Sequence, residues 1–130
     1  MSSPLSYTRR DLPGGLLIAV RGELDSTNER GLESYVHEHL RPGDDLILDV
    51  GGVTFIDSHG LYLLLRLDAA VRDQGGALRL AAVQAAPARV LRISGVGQAL
   101  DIRPDVQAAV QGMRGEHANG PAARADRRST

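Results

Sequence analysis

Apolar residues in this chain alternate between short continuous runs and a spacing of three and four, and each switch marks a change of element. Leu5 to Arg10 reads as a short edge strand, followed by a turn at Pro13-Gly14-Gly15. Leu16 to Arg21 reads as a second strand closed by Gly22, so the two predict a hairpin or neighbouring strands. Ser26 with Glu29 fits a capping box, and Leu32, Tyr35, Val36 and Leu40 then fall at helical spacing until Pro42-Gly43. Asp45 to Val50 is almost continuously apolar, which predicts a strand buried on both faces.

A second helix is expected from near Asp57 to about Gln74, stopped by Gly75-Gly76. Gly60, Leu63, Leu64, Leu67 and Val71 form its core stripe, and Tyr62, Arg66, Ala69 and Asp73 a less apolar face. Ala77 to Val83 is the next strand. Pro87 suits the first turn of a third helix, with Val90, Leu91 and Ile93 as its apolar contacts and Gly95 as its end. Leu100-Asp101-Ile102 predicts a short strand. Pro104 opens a fourth helix carrying Val106, Ala109, Val110 and Met113. The order β-β-α-β-α-β-α-β-α implies an α/β fold: a mixed sheet of four to five strands with about four helices supplied by crossovers.

The pattern stops after Met113, so a domain over 1–114 and a disordered tail over 115–130 are expected. At 130 residues the chain is long enough to bury one sizeable core. Aromatic residues are only 3%, so aliphatic side chains must fill that core. The absence of Trp and a net charge of −1 argue against a nucleic-acid stacking platform or an anionic-membrane partner. There is no cysteine, hence no disulfide framework and no thiolate metal site. No apolar run is long enough to span a bilayer, so a cytoplasmic protein is expected. Every basic residue outside the histidines is Arg, which suggests a GC-rich coding genome.

Candidate chemistry gathers between Asp49 and Leu61. There the pattern predicts a buried strand, a tight turn of Asp57, Ser58, His59 and Gly60, and a helix start. A helix N-terminus offers unpaired N–H groups and a positive dipole end, so a hydroxyl there can carry a phosphate at low electrostatic cost. Asp57 serves there as a helix cap, as a switch residue, or as both. Asp25 reads as another helix cap or as a turn residue. Tyr62 and Arg66 lie one turn apart beyond the turn; they extend a partner surface or form a solvated face. Other chemistry is weak. His37 and His39 are two apart and cannot converge on a metal. Asp57, Ser58 and His59 are consecutive, whereas catalytic triads are assembled in space. Gly14-Gly15 and Gly51-Gly52 lack the Lys-Ser/Thr of a phosphate-binding loop.

Three segments resemble the STAS domain, most closely the stand-alone bacterial anti-sigma factor antagonists. They are Gly22-Glu23-Leu24-Asp25, the run from Asp49 to Leu61, and Val90-Leu91-Arg92-Ile93-Ser94-Gly95-Val96, within a likeness over roughly residues 5 to 113. The resemblance implies a regulatory binding module without enzymatic activity or cofactor. Such a module is expected to be a monomer that binds an anti-sigma factor of the serine-kinase type and releases a sigma factor. Phosphorylation at the start of the second helix would end that binding, and a phosphatase would restore it. The implied switch and partner-binding residues are Asp25, Asp57, Ser58, His59, Gly60, Tyr62 and Arg66.

One departure bears on control. His59 stands where the family carries its phosphate acceptor, and Ser58 matches the residue before it, which is normally unmodified. Three arrangements follow: a switch without phosphorylation, a phosphate moved to Ser58, or a His59 that is itself modified or makes a pH-sensitive contact. Adjacent helical side chains point about 100° apart, so a kinase built for one position meets the other poorly. Two alternative classes remain: a soluble accessory subunit of a membrane transport system, and an enzyme of unassigned chemistry on the same scaffold.

Overall fold

The computed structural model describes residues 4–113. β1 (Ser6–Leu12) and β2 (Gly15–Leu24) form an antiparallel hairpin across the Pro13-Gly14 turn. Then come α1 (Glu29–His39), β3 (Asp45–Ile56), α2 (Ser58–Asp73), β4 (Leu78–Ala81) and α3 (Ala85–Ser94). A single 3₁₀ turn (Val96–Gln98) leads into β5 (Asp101–Arg103). A helix over 106–113, α4, reaches the limit of the described residues. The sheet order is β1-β2-β3-β4-β5, parallel from β2 onward. This is the mixed five-stranded α/β arrangement that the periodicity predicts. The tail expected over 115–130 lies outside the described residues.

Strand alternation sorts the sheet into two faces. Leu16, Ile18 and Val20 of β2, Leu46, Leu48 and Val50 of β3, and Leu78 and Leu80 of β4 are buried in the main core. Leu32 and Val36 of α1, the stripe Leu63, Leu64, Leu67 and Val71 of α2, and Leu91 of α3 belong to the same core. The intervening Ile47 and Ala81 meet Ala109 of α4 on the other face. β3 is therefore covered on both sides, as its apolar run predicts.

Several boundaries differ from the sequence expectation. β2 does not close at Gly22 but runs to Leu24, and β3 runs past Gly51-Gly52 to Ile56. The β2–β3 register shifts between Ala19 and Arg21 and between Gly22 and Glu23, so these glycines accommodate irregularity inside paired strands instead of ending them. Gly22 has φ +109, and a Cβ there would stand 2.5 Å from the Pro4 carbonyl oxygen. β4 is shorter than expected. Ala82 directly after it has φ 63, a left-handed conformation that turns the chain out of the sheet. Ser26 does not cap α1, whose N-cap is Asn28. The reason lies in tertiary structure: Glu29, the expected partner in the box, gives its carboxylate to Arg66 of α2. Ile93, expected to contact the core, is 74% exposed. Only Leu91 is fully buried among the three apolar residues assigned to α3, and Val90 is partly so.

Candidate functional site at the start of helix α2

Parallel strands β2 and β3 end side by side, and their C-terminal ends place Asp25 and Asp57 on one rim. The Asp57 N–H donates to the Leu24 carbonyl oxygen at 3.2 Å, tying the two strand ends together. Asp57 has extended backbone, and its Oδ1 accepts from the N–H groups of His59 (2.9 Å) and Gly60 (3.1 Å). This is a side-chain N-cap, satisfying two of the unpaired donors of the helix start. The capping reading of Asp57 holds, and the helix begins at Ser58.

Asp25 is a turn residue, as one of its two readings has it, and does not cap a helix. Its Oδ1 accepts from the N–H (2.9 Å) and the hydroxyl (2.5 Å) of Thr27. Those bonds, led by the hydroxyl, hold its carboxyl below the ordinary carboxylate range, with a smaller contribution from the charge of His59. Asn28 locks the loop from behind. Its Oδ1 accepts the Asp25 N–H at 3.0 Å, and its Nδ2 donates to the Glu23 carbonyl oxygen at 2.8 Å.

Ser58 and His59 are both exposed on the first turn of α2. The His59 ring lies over its own cap, with Nδ1 3.6 Å from Asp57 Oδ2. The site can therefore present one hydroxyl and one imidazole to a partner, set between two carboxylates. Gly60, by contrast, is buried against the ends of β2 and β3. Tyr62, one turn further, is 61% exposed.

Arg66 is held away from the turn. Its Nε donates to Glu33 Oε2 at 3.0 Å, and its Nη2 bonds both Glu29 and Glu33. The arginine thus joins α2 to α1, and the two carboxylates stabilise its charge. Glu33 was not singled out from sequence and Glu29 only as a capping partner, although their i, i+4 spacing puts two acids on one face of α1. Phe55 was also passed over as a site residue. It is 48% exposed beside the turn, and the visible signal was the chain's single phenylalanine abutting its most polar turn.

The hydrogen bond from Arg66 is the main reason the Glu33 carboxyl sits below its ordinary range. A carboxylate of this kind contributes fully above its unfolded value, about 4.3, and loses that contribution as pH falls through the lower folded value. Wild type is expected to melt above a Glu33→Gln variant at neutral pH. The gap should close on acidification below about pH 4. Parallel melting curves at every pH would show that the tether adds nothing.

Among the described residues no group of three His, Asp or Glu side chains is placed to hold a metal. His39 is spent locally, its Nδ1 2.9 Å from the Tyr35 carbonyl oxygen. Among the described residues no helix is long and apolar enough to cross a membrane.

The STAS domain family model matches residues 6–109. Solved structures share the fold at low identity. An anti-sigma factor antagonist from Mycobacterium paratuberculosis superposes with a TM-score of 0.77 at 22% identity, over 88% of this chain and 99% of that one. An anti-sigma-factor antagonist (STAS) domain protein from Planctomyces limnophilus gives 0.70 at 17%, over 83% and 97%. A murine anion transporter of solute carrier family 26 gives 0.72 at 20%; the match covers 82% of this chain but only 18% of the transporter. With the family model spanning both strand ends, the capped turn and three of the helices, the chain belongs to the STAS domain family.

Proposed function

We propose that this protein is an anti-sigma factor antagonist. It binds an anti-sigma factor of the serine-kinase type and thereby frees a sigma factor. The observation that carries the reading is the start of α2: a capped helix end with Ser58 and His59 exposed, between the exposed Phe55 and Tyr62. Exposed rings beside small polar groups suit a protein interface, where aromatic anchors carry much of the binding energy. The antagonists among its structural neighbours support the same reading. The protein acts by binding rather than by catalysis, as a monomer in the cytoplasm, with Asp25, Asp57, Ser58, His59 and Tyr62 at the contact and buried Gly60 setting the helix start beneath them. Arg66 supports that surface from behind by fixing α2 on α1.

Control by phosphate is altered, because His59 occupies the acceptor position. A phosphate would add a charge of about −1.5 to −2. Of the two side chains on the first turn, only the Ser58 hydroxyl is an ordinary acceptor for a serine kinase. If a phosphatase serves this system, phosphorylated Ser58 is its substrate.

Titration calorimetry with the serine-kinase anti-sigma factor of the same host tests the reading. Tight binding is expected. A Ser58→Glu variant should weaken it by at least about tenfold, since charge buried at an interface without a partner is costly. Undiminished binding by Ser58→Glu would exclude phospho-control at that residue. Loss of binding in His59→Ser would show that the imidazole makes a required contact. Failure to bind any such factor, with transport subunits recovered instead from the host, would favour a soluble accessory role in transport, as the transporter match suggests.

A further inference from the structure

A second surface lies at the β5 edge of the sheet, apart from the α2 turn. Four large apolar side chains are notably exposed among the described residues. Phe55 and Tyr62 flank the turn, whereas Ile93 (74%) and Ile102 (40%) lie on α3 and β5. Between α3, the 3₁₀ turn and β5 is an open notch of about 220 Å³, lined by Val83, Ala88, Leu91, Gly97 and Ile102 together with the polar Arg92 and Gln98.

On the α3 side of the notch the charge is one-sided. From Gln74 to Leu100 the chain holds three arginines and no acidic residue. Arg79 is buried against Asp45. That leaves Arg89 and Arg92, both exposed on α3, and among the described residues neither makes an ion pair. Neighbouring arginines are offset: Arg72 by Asp68, and Arg103 by Asp101. A chain with net charge −1 thus carries a local patch of uncompensated positive charge beside an apolar hollow.

Size selects the occupant. Small-molecule sites typically enclose about 300–1,000 Å³, whereas an apolar cavity of about 150 Å³ holds benzene. The notch therefore has room for one large side chain and little more. We propose that the α3–β5 edge is a second protein-docking surface, which takes an acidic segment of a partner with one leucine- or phenylalanine-sized anchor in the notch and its carboxylates on Arg89 and Arg92. Planar guanidinium forks suit such carboxylates, because they pair with them in two parallel hydrogen bonds. The proposal does not rest on the anti-sigma reading, because the α2 turn takes no part in it.

The test is a nuclear magnetic resonance titration of the full chain, at low salt, with a short acetylated peptide bearing Asp and Glu on both sides of one leucine. Saturable shifts are expected at Ala88, Leu91, Arg92 and Ile102. Affinity should fall about tenfold or more when the peptide's leucine becomes glycine. It should also fall with added salt and in an Arg89→Glu/Arg92→Glu variant. Ala88→Phe, which fills the notch, should remove the anchor dependence without touching the charges. No saturable shifts, shifts centred on residues 57–62, or equal binding by the glycine peptide would each overturn the proposal. So would octanoate filling the notch while the peptide does not bind, or notch shifts that arise from self-association in the absence of peptide.

Discussion

Replacing Arg79 with methionine is expected to cost about 3–5 kcal/mol of folding stability, a large share of the roughly 5–15 kcal/mol typical of a domain. Both Arg79 and Asp45 have fully buried side chains, and Arg79 Nη1 donates to Asp45 Oδ2 at 3.0 Å. The other carboxylate oxygen accepts the Ala77 N–H at 2.9 Å, so Asp45 also holds the turn into β4. Arg79 Nε lies 3.5 Å from Asp101 Oδ2, which brings β5 into the same cluster. Methionine fills much of the space but takes the Arg79 charge away from a buried carboxylate. Urea unfolding measures the loss. The double variant Arg79→Met/Asp45→Leu should recover part of it, because an apolar pair of similar volume is often as stable as the buried ion pair, while the Ala77 N–H loses its acceptor. A single variant within 1 kcal/mol of wild type, on the order of an ordinary surface change, would refute the argument.

Gly60→Ala is expected to destabilise by up to about 2 kcal/mol, although alanine is the better helix former by about 1 kcal/mol. A Cβ at Gly60 would stand 2.9 Å from Ile56 Cγ2, 2.9 Å from Leu24 Cγ and 3.0 Å from the Leu24 carbonyl oxygen. Such overpacking typically costs about 1–3 kcal/mol, which outweighs the gain in propensity. The strain falls where β2, β3 and α2 converge, so the helix start must move away from the strand ends. Partner binding at the turn should weaken along with stability. A chemical denaturation midpoint equal to or above that of wild type would mean that the strand ends yield without cost.

Legibility from sequence depended on whether the deciding contact was local. The α2 stripe and the Asp57 cap were readable because spacing and capping act within a few residues. The helical face bearing Tyr62, Arg66, Ala69 and Asp73 proved exposed as expected. Gly22 and Gly51-Gly52 misled because glycine ends an isolated strand but survives inside a paired one, and pairing partners are not written in the strand itself. Ser26 and Glu29 matched a capping box, yet Glu29 bonds an arginine far along the chain. Arg79 stood unnoticed inside a strand, since its buried partner Asp45 belongs to the neighbouring one. At the candidate site the turn and its residues were visible from sequence. The proximity of Asp25 to His59, and the exposure of Phe55, required the two strand ends to be placed together.

Strand order in this sheet equals chain order. Each new strand adds at an outer edge, and none has to be threaded between two already paired. A chain emerging from the ribosome can therefore complete the sheet in the sequence in which it is made. The β1–β2 hairpin comes first. The rim carrying Asp25 and Asp57 is assembled by the time α2 appears, before the Arg79 cluster exists. The surface proposed to meet a partner is thus built from the earlier half of the chain, and the Asp45–Arg79–Asp101 cluster that locks the far edge is completed only once β4 and β5 have been made.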